Sequence, residues 1–249
     1  MTKLLEVCVD SLASARAAIA GGADRLELCS ALIAGGLTPY KALMQQIRLE
    51  SKIPVRCLMR PRAGDFLYAK EEIQMMAKQI RSLKEAGADG FVIGCLCPDG
   101  TLDEEAMKPL LEACAGSPMT LHRCIDVSRD PLETYVTAAR LGMDTVLTSG
   151  GAGNCWAGRE TISEMLRLRD QTEGPEVLIG AGVNAGVIRE IRKLLPQAGT
   201  FHMSGKREVE SAMEFRREGV PMGLPGLDEW HIPQTDAEAV ASAKNALFE

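Results

Sequence analysis

Two histidines, several carboxylates and a pair of cysteines recur on short apolar runs, in a pattern suited to proton transfer or soft-metal binding. In Leu4–Val9, Glu6 and Cys8 alternate with Leu5, Val7 and Val9; in Arg25–Cys29, Arg25, Glu27 and Cys29 alternate with Leu26 and Leu28. Thr120, His122, Cys124 and Asp126 share one parity in the run 119–126, as do His202 and Ser204 in the run 200–204. Strand side chains alternate between two faces, so each polar set projects to one side. An imidazole beside carboxylates can move protons near neutral pH. His122 is therefore the candidate acid or base, with Glu27 and Asp126 fixing its tautomer. Thiolates select Cu(I) or Zn over hard cations. Cys8 and Cys29 share depth and parity on neighbouring strands, where a spacing of about 4.8 Å lets two thiolates reach one ion, with Cys124 as a possible third.

Cations and glycines complete the set. Arg60 and Arg62, in MRPRAGDF, lie at the exit of a third run and can pair with carboxylates or grip an anionic ligand bidentately. Gly180 and Gly182, in GAGVN, and Ser204, in SGK, stand at the exits of the seventh and eighth runs, where barrel enzymes often hold phosphate. With Glu6, Arg62, Ser149 and His202 they form the expected substrate-binding group. The chain has neither a Walker lysine motif nor a dinucleotide fingerprint in its proper context, so no nucleotide cofactor is expected. Cys95-x-Cys97 runs into the turn Pro98-Asp99-Gly100 and has no partner pair to complete a zinc pattern. Cys57 and Cys114 read as core, His231 as surface.

The elements that must position these residues are legible from period. Strand-like runs at 4–9, 25–29, 55–60, 90–95, 119–126, 145–149, 177–182 and 200–204 alternate with helical stretches, the last near 235–247. Three helix-to-strand joints look alike: Gly21-Gly22-Ala23-Asp24, Ala86-Gly87-Ala88-Asp89 and Leu141-Gly142-Met143-Asp144. Each offers a glycine for a helix C-terminus and then Asp before an apolar strand. Eight βα units with no linker between them predict an α/β fold, a single TIM-type (β/α)8 barrel. An open doubly wound sheet is the competing architecture. In a helix-clad barrel the polar parity can face only the interior and mouth, so the candidates converge at the C-terminal end. A lumen salt-bridge network without a ligand is the structural alternative. Residues 221–233 read as a loop before the last helix.

Composition narrows the partners. The chain has 249 residues, 46% hydrophobic, with 28 Lys+Arg against 34 Asp+Glu and a net charge of −6. No basic run marks nucleic acid or an anionic membrane, and no long uncharged apolar segment marks a span. The expected partner is a metal ion or a small anionic molecule, with no nucleic acid and no membrane. The N-terminus lacks a signal-peptide core, so a cytoplasmic location with eight free thiols is expected.

Taken in order, LEVC from Leu5, GGADRLELC from Gly21, GGLTP from Gly35, RPR from Arg60 with Gly64-Asp65-Phe66, His122-Arg123 with Asp126, and LTSG from Leu147 closely resemble the CutC family, named for copper homeostasis. The match spans roughly residues 4 to 220. The resemblance implies a TIM-type barrel over residues 1–249, a cytosolic homo-oligomer, often a dimer, and Cu(I) ligation by Cys8 and Cys29. Ala63, Leu121, Ile125 and Cys124 stand where the family usually has Gly, two aromatic residues and Ala, and Arg217 replaces a frequent Asn. From about Pro221 the match is poor. The mouth carries more charge than a two-thiol copper site requires. The alternative is therefore a lyase- or isomerase-type barrel enzyme acting on a small anionic, phosphorylated or carboxylated metabolite, with Glu27, Arg60, His122 and Asp126 as its catalytic group.

Overall fold

A computed structural model describes residues 3–220, 222–223 and 228–249. Eight strands, β1 (Leu4–Val9), β2 (Arg25–Leu28), β3 (Val55–Leu58), β4 (Gly90–Ile93), β5 (Met119–Leu121), β6 (Thr145–Thr148), β7 (Glu176–Ile179) and β8 (Thr200–Met203), pair in parallel and in chain order. β8 pairs back onto β1, which closes the barrel. The helices are α1 (Leu12–Ala20), α2 (Lys41–Glu50), α3 (Lys70–Glu85), α4 (Glu104–Cys114), α5 (Pro131–Arg140), α6 (Arg159–Thr172), α7 (Ala185–Leu194) and α8 (Ala237–Ala246). The protein is a (β/α)8 barrel, as the alternation predicts.

Helix α3 illustrates the outer layer. Ile73, Met76, Ala77, Ile80 and Leu83 recur at three- and four-residue spacing and are all buried, while Glu72 bonds back to the Ala69 amide at 2.8 Å. The outward strand parity, including Leu5, Val7, Leu26, Leu28, Phe91, Ile93, Val146 and Phe201, packs with such helix faces in one continuous apolar core. Cys29, Leu58 and Val92 form a separate small apolar cluster.

The three repeated joints serve one purpose. Gly22, Gly87 and Gly142 have φ of 85°, 100° and 78°, a region that favours glycine. Each following Asp accepts an amide at the start of the preceding strand: Asp24 from Leu5, the second residue of β1, at 2.7 Å, Asp89 from Val55 at 2.8 Å, and Asp144 from Met119. Each carboxylate also meets a cation, respectively Lys244, Arg48 and Arg56. The joint thus pins the start of β1, β3 and β5 through the residue that precedes β2, β4 and β6.

Two expectations need correction. The fifth strand ends at Leu121, and Arg123–Val127 form a 3₁₀ turn capped by His122. Parity therefore does not govern Cys124 and Asp126. After β8 the chain adds a ribbon, β9 (Lys206–Glu210) paired antiparallel with β10 (His231–Thr235), before α8. His231 thus begins a strand, though it is exposed as expected; of the expected loop, 221 and 224–227 lie outside the described residues.

Asp89→Ala would leave the Val55 amide without its acceptor. The expected loss is about 1–3 kcal/mol of unfolding free energy in urea denaturation with an unchanged far-UV spectrum; an unchanged midpoint would remove the joint from the account of stability.

Candidate functional site

The middle of the lumen is organised by a charge that water cannot reach. Glu6 is fully buried. Register places it beside Arg25 on β2 and His202 on β8. Arg25 Nε donates to Glu6 Oε2 at 2.5 Å, and His202 Nδ1 lies 2.7 Å from Glu6 Oε1. Burial pushes the Glu6 carboxyl up, but the charges and hydrogen bonds of Arg25 and His202 outweigh it and bring the group down from 4.5 to about 2. Glu6 is thus ionised, and the ring nitrogen facing it is the donor. Below this, Arg56 Nη1 donates to Thr120 and Thr145 hydroxyls at 2.5 and 3.0 Å, and Nη2 to Asp144 at 2.6 Å, closing the floor.

One layer towards the C-terminal mouth, Cys8 pairs in register with Glu27. Cys8, Glu27 and His202 each present one donor atom, all within 4.8 Å of one another, and form a group able to hold a metal ion. His202 Nε2 is 3.9 Å from Glu27 Oε2. Burial, then the neighbouring charge of Glu6, raises Glu27 from 4.5 to about 7, despite the opposing pull of His202. Burial alone would lower His202, but Cys8, Glu27 and Glu6 raise it well above the ordinary imidazole value. A proton is therefore held among these groups when no cation is there to replace it.

The cluster forms one wall of a cavity of about 530 Å³ at the mouth. The opposite wall carries Arg60, Phe66, His122 and Arg123, and the rim carries Gly182, Ser204 and Lys206. His122 is fixed differently from the sequence expectation. Its Nδ1 accepts the Cys124 amide at 3.2 Å, so backbone, not Glu27 or Asp126, sets the tautomer. Burial and then the charge of Arg60 bring it from 6.5 down to about 3, leaving a neutral ring. With Nδ1 an acceptor, the proton sits on Nε2, which has no partner. His122 is a donor at neutral pH, not a base. A methyl at Gly94 would lie 2.7 Å from His122 Cε1, so only glycine lets the ring seat there.

Several other expected residues have structural duties. Asp126 does line the cavity, but its carboxylate accepts from the Thr148 hydroxyl and the Ser149 and Gly151 amides at 2.6 to 3.1 Å and pairs with Arg123. That leaves it a tie between the exits of β5 and β6. Ser149 is fully buried, donating to Ala152 O. Gly180 leaves room for Leu147 and His202 and donates to Thr148 O. Arg62 stands off the cavity, paired with Glu72 and Asp65. Cys29 is not in the donor group: it follows Leu28, the partner of Val9, and its Sγ donates to Val9 O at 3.5 Å among apolar neighbours. Burial, then Cys8 and the carboxylates, pushes its thiol far up. Strand and helix periodicity gave no signal for Phe66, known from the sequence only as part of the Gly64-Asp65-Phe66 motif; its ring packs tilted against His122 with centroids 4.8 Å apart.

These features define a TIM-type barrel with a metal-capable, cation-rich cleft at its C-terminal mouth. A sequence model of the CutC family matches residues 3–207. The chain is 40% identical to the copper homeostasis protein cutC homolog of Homo sapiens over 98% of this chain and 90% of that protein. It is 38% identical to the family protein CutC of Porphyromonas gingivalis over 99% of both. A solved CutC structure from Streptococcus agalactiae superposes with a TM-score of 0.75 at 26% identity, covering 82% of this chain and 99% of that one. The chain belongs to the CutC family. Thiamine phosphate pyrophosphorylase of Pyrococcus furiosus, at 14% identity and a TM-score of 0.53, over 99% of this chain and 95% of that one, shares the barrel fold.

Glu6→Gln would strand Arg25 and uncouple His202. The expected loss at pH 7 is about 3–5 kcal/mol of unfolding free energy. Because the native carboxyl sits near 2 rather than 4.5, the wild-type advantage is full above 4.5 and fades as pH falls towards 2. A stability difference independent of pH across that window would contradict the ionised assignment.

Proposed function

We propose that the protein takes part in copper homeostasis by binding Cu(I) as cargo on Cys8 and His202 at the barrel mouth, with Glu27 beside them. The carrying observation is the orientation of His202: Nδ1 is held by Glu6, and Nε2 is turned towards Cys8 and Glu27. A carboxylate behind a ligating imidazole fixes its tautomer and raises its basicity. Thiolate and imidazole suit copper, and Glu27 can take up the proton that the thiol or ring gives up on binding.

Cys29 has no ligand role in this reading, in contrast to the two-thiol site expected from the family resemblance. The proposal also carries the cytosolic location and the homodimer. All eight cysteines are free, which suits a reducing compartment. Among the described residues no helix is long and apolar enough to cross a membrane.

Anaerobic Cu(I) titration against a competing chelator tests the site. Cys8→Ser and His202→Gln are each expected to weaken binding by at least tenfold, and Glu6→Gln by about 10–100-fold; Cys29→Ser should leave it unchanged. Loss of binding in Cys29→Ser with retention in His202→Gln would overturn the assignment.

A further inference from the structure

The wall of the cavity facing the proposed metal ligands holds a buried cation that copper binding does not use. Arg60 is 9% exposed. Its Nη1 donates to the carbonyls of Ala34 and Gly36 at 3.0 and 3.2 Å, and its Nη2 to that of Gly64 at 2.8 Å. Among the described residues no carboxylate pairs with it. A guanidinium has five N–H groups. Three are satisfied by these carbonyls, which leaves one on Nε and one on Nη2, and Nε has no acceptor.

Nε and Nη2 are the two atoms with which this chain grips two carboxylates bidentately elsewhere. Arg16 holds Glu50 through Nε and Nη2, both at 2.7 Å, and Arg189 holds Glu249 through the same two atoms at 2.5 and 2.8 Å. A buried charge without a counter-ion is unfavourable, and an anion from solution relieves it.

A second unsatisfied donor stands on the same wall. His122 is 4% exposed, and its Nε2–H has no acceptor. Phe66 links the two groups, with the Arg60 guanidinium carbon 5.1 Å from its centroid and the His122 ring 4.8 Å from it. Lys206 adds positive charge at the rim and has no carboxylate partner among the described residues.

We propose that this half of the cavity binds a small organic anion, its carboxylate taken by the free edge of Arg60 and by His122 Nε2–H, with Phe66 against its apolar body. The site does not depend on the metal ligands, so a copper-free chain should show it.

The test uses the Cys8→Ser full-length chain treated with a chelator, titrated calorimetrically with malonate, benzoate and inorganic phosphate, with ¹⁵N-histidine NMR in parallel. Binding of at least one carboxylate that moves the His122 Hε2 signal is expected. Arg60→Lys, which keeps the charge but loses the planar fork, and His122→Phe, which keeps the stacking but loses the donor, should each weaken binding about tenfold or more. His122→Phe serves where Arg60→Lys fails to fold. Binding of neither carboxylate, binding of phosphate alone, or equal carboxylate affinity in folded variants would overturn the proposal.

Discussion

The arrangement of the mouth depends on one buried carboxylate. Glu6 has no exposed surface, and its charge is tolerable only because Arg25 and His202 bond to it from the two neighbouring strands. Closing the barrel brings these three together: β8 must return to β1 for His202 to stand beside Glu6. The ion pair therefore ties the first and last strands of the barrel while aiming an imidazole edge at the mouth. A hydrophobic residue at position 6 could fill the same space, but it could not orient His202. Electrostatic organisation of the lumen and the geometry of the proposed metal site are consequences of the same contact.

The two walls of the cavity are held by different means. On the β1–β2–β8 side, side chains fix one another through charge, and protons are shared among Cys8, Glu27 and His202. On the β3–β5 side, backbone groups do the fixing: carbonyls hold Arg60, and an amide sets the His122 tautomer. The first wall can exchange its proton for a cation. The second offers fixed donors and suits an anion. A metal ion and an organic anion could thus occupy one cavity without competing for the same groups.

Much of the fold was readable because period two and period 3.6 alternate cleanly and because the Gly-x-Asp joint recurs at the head of β2, β4 and β6. The inward parity identified Glu6, Cys8, Glu27 and His202 correctly as lumen residues. Parity cannot give depth, however, since the stagger of a closed barrel decides which inward residue faces which. Cys8 meets Glu27 rather than Cys29 for that reason. Parity also fails where a strand stops. The residues after Leu121, rich in Cys, Ile and Val, look like more strand, yet His122 caps a 3₁₀ turn that carries Cys124 into the core and Asp126 onto the next loop. Phe66 and the carbonyl cradle of Arg60 come from loops with no periodic signal at all.

In the proposed site one thiol and one carboxylate-oriented imidazole, not two thiols, form the metal-binding edge of the mouth. X-ray absorption at the copper edge of the Cu(I)-loaded protein reads this directly. The predicted spectrum has sulfur and histidine nitrogen in the first coordination sphere, with the nitrogen component lost in His202→Gln. A two-sulfur sphere without histidine scattering, unchanged in that variant, would contradict it.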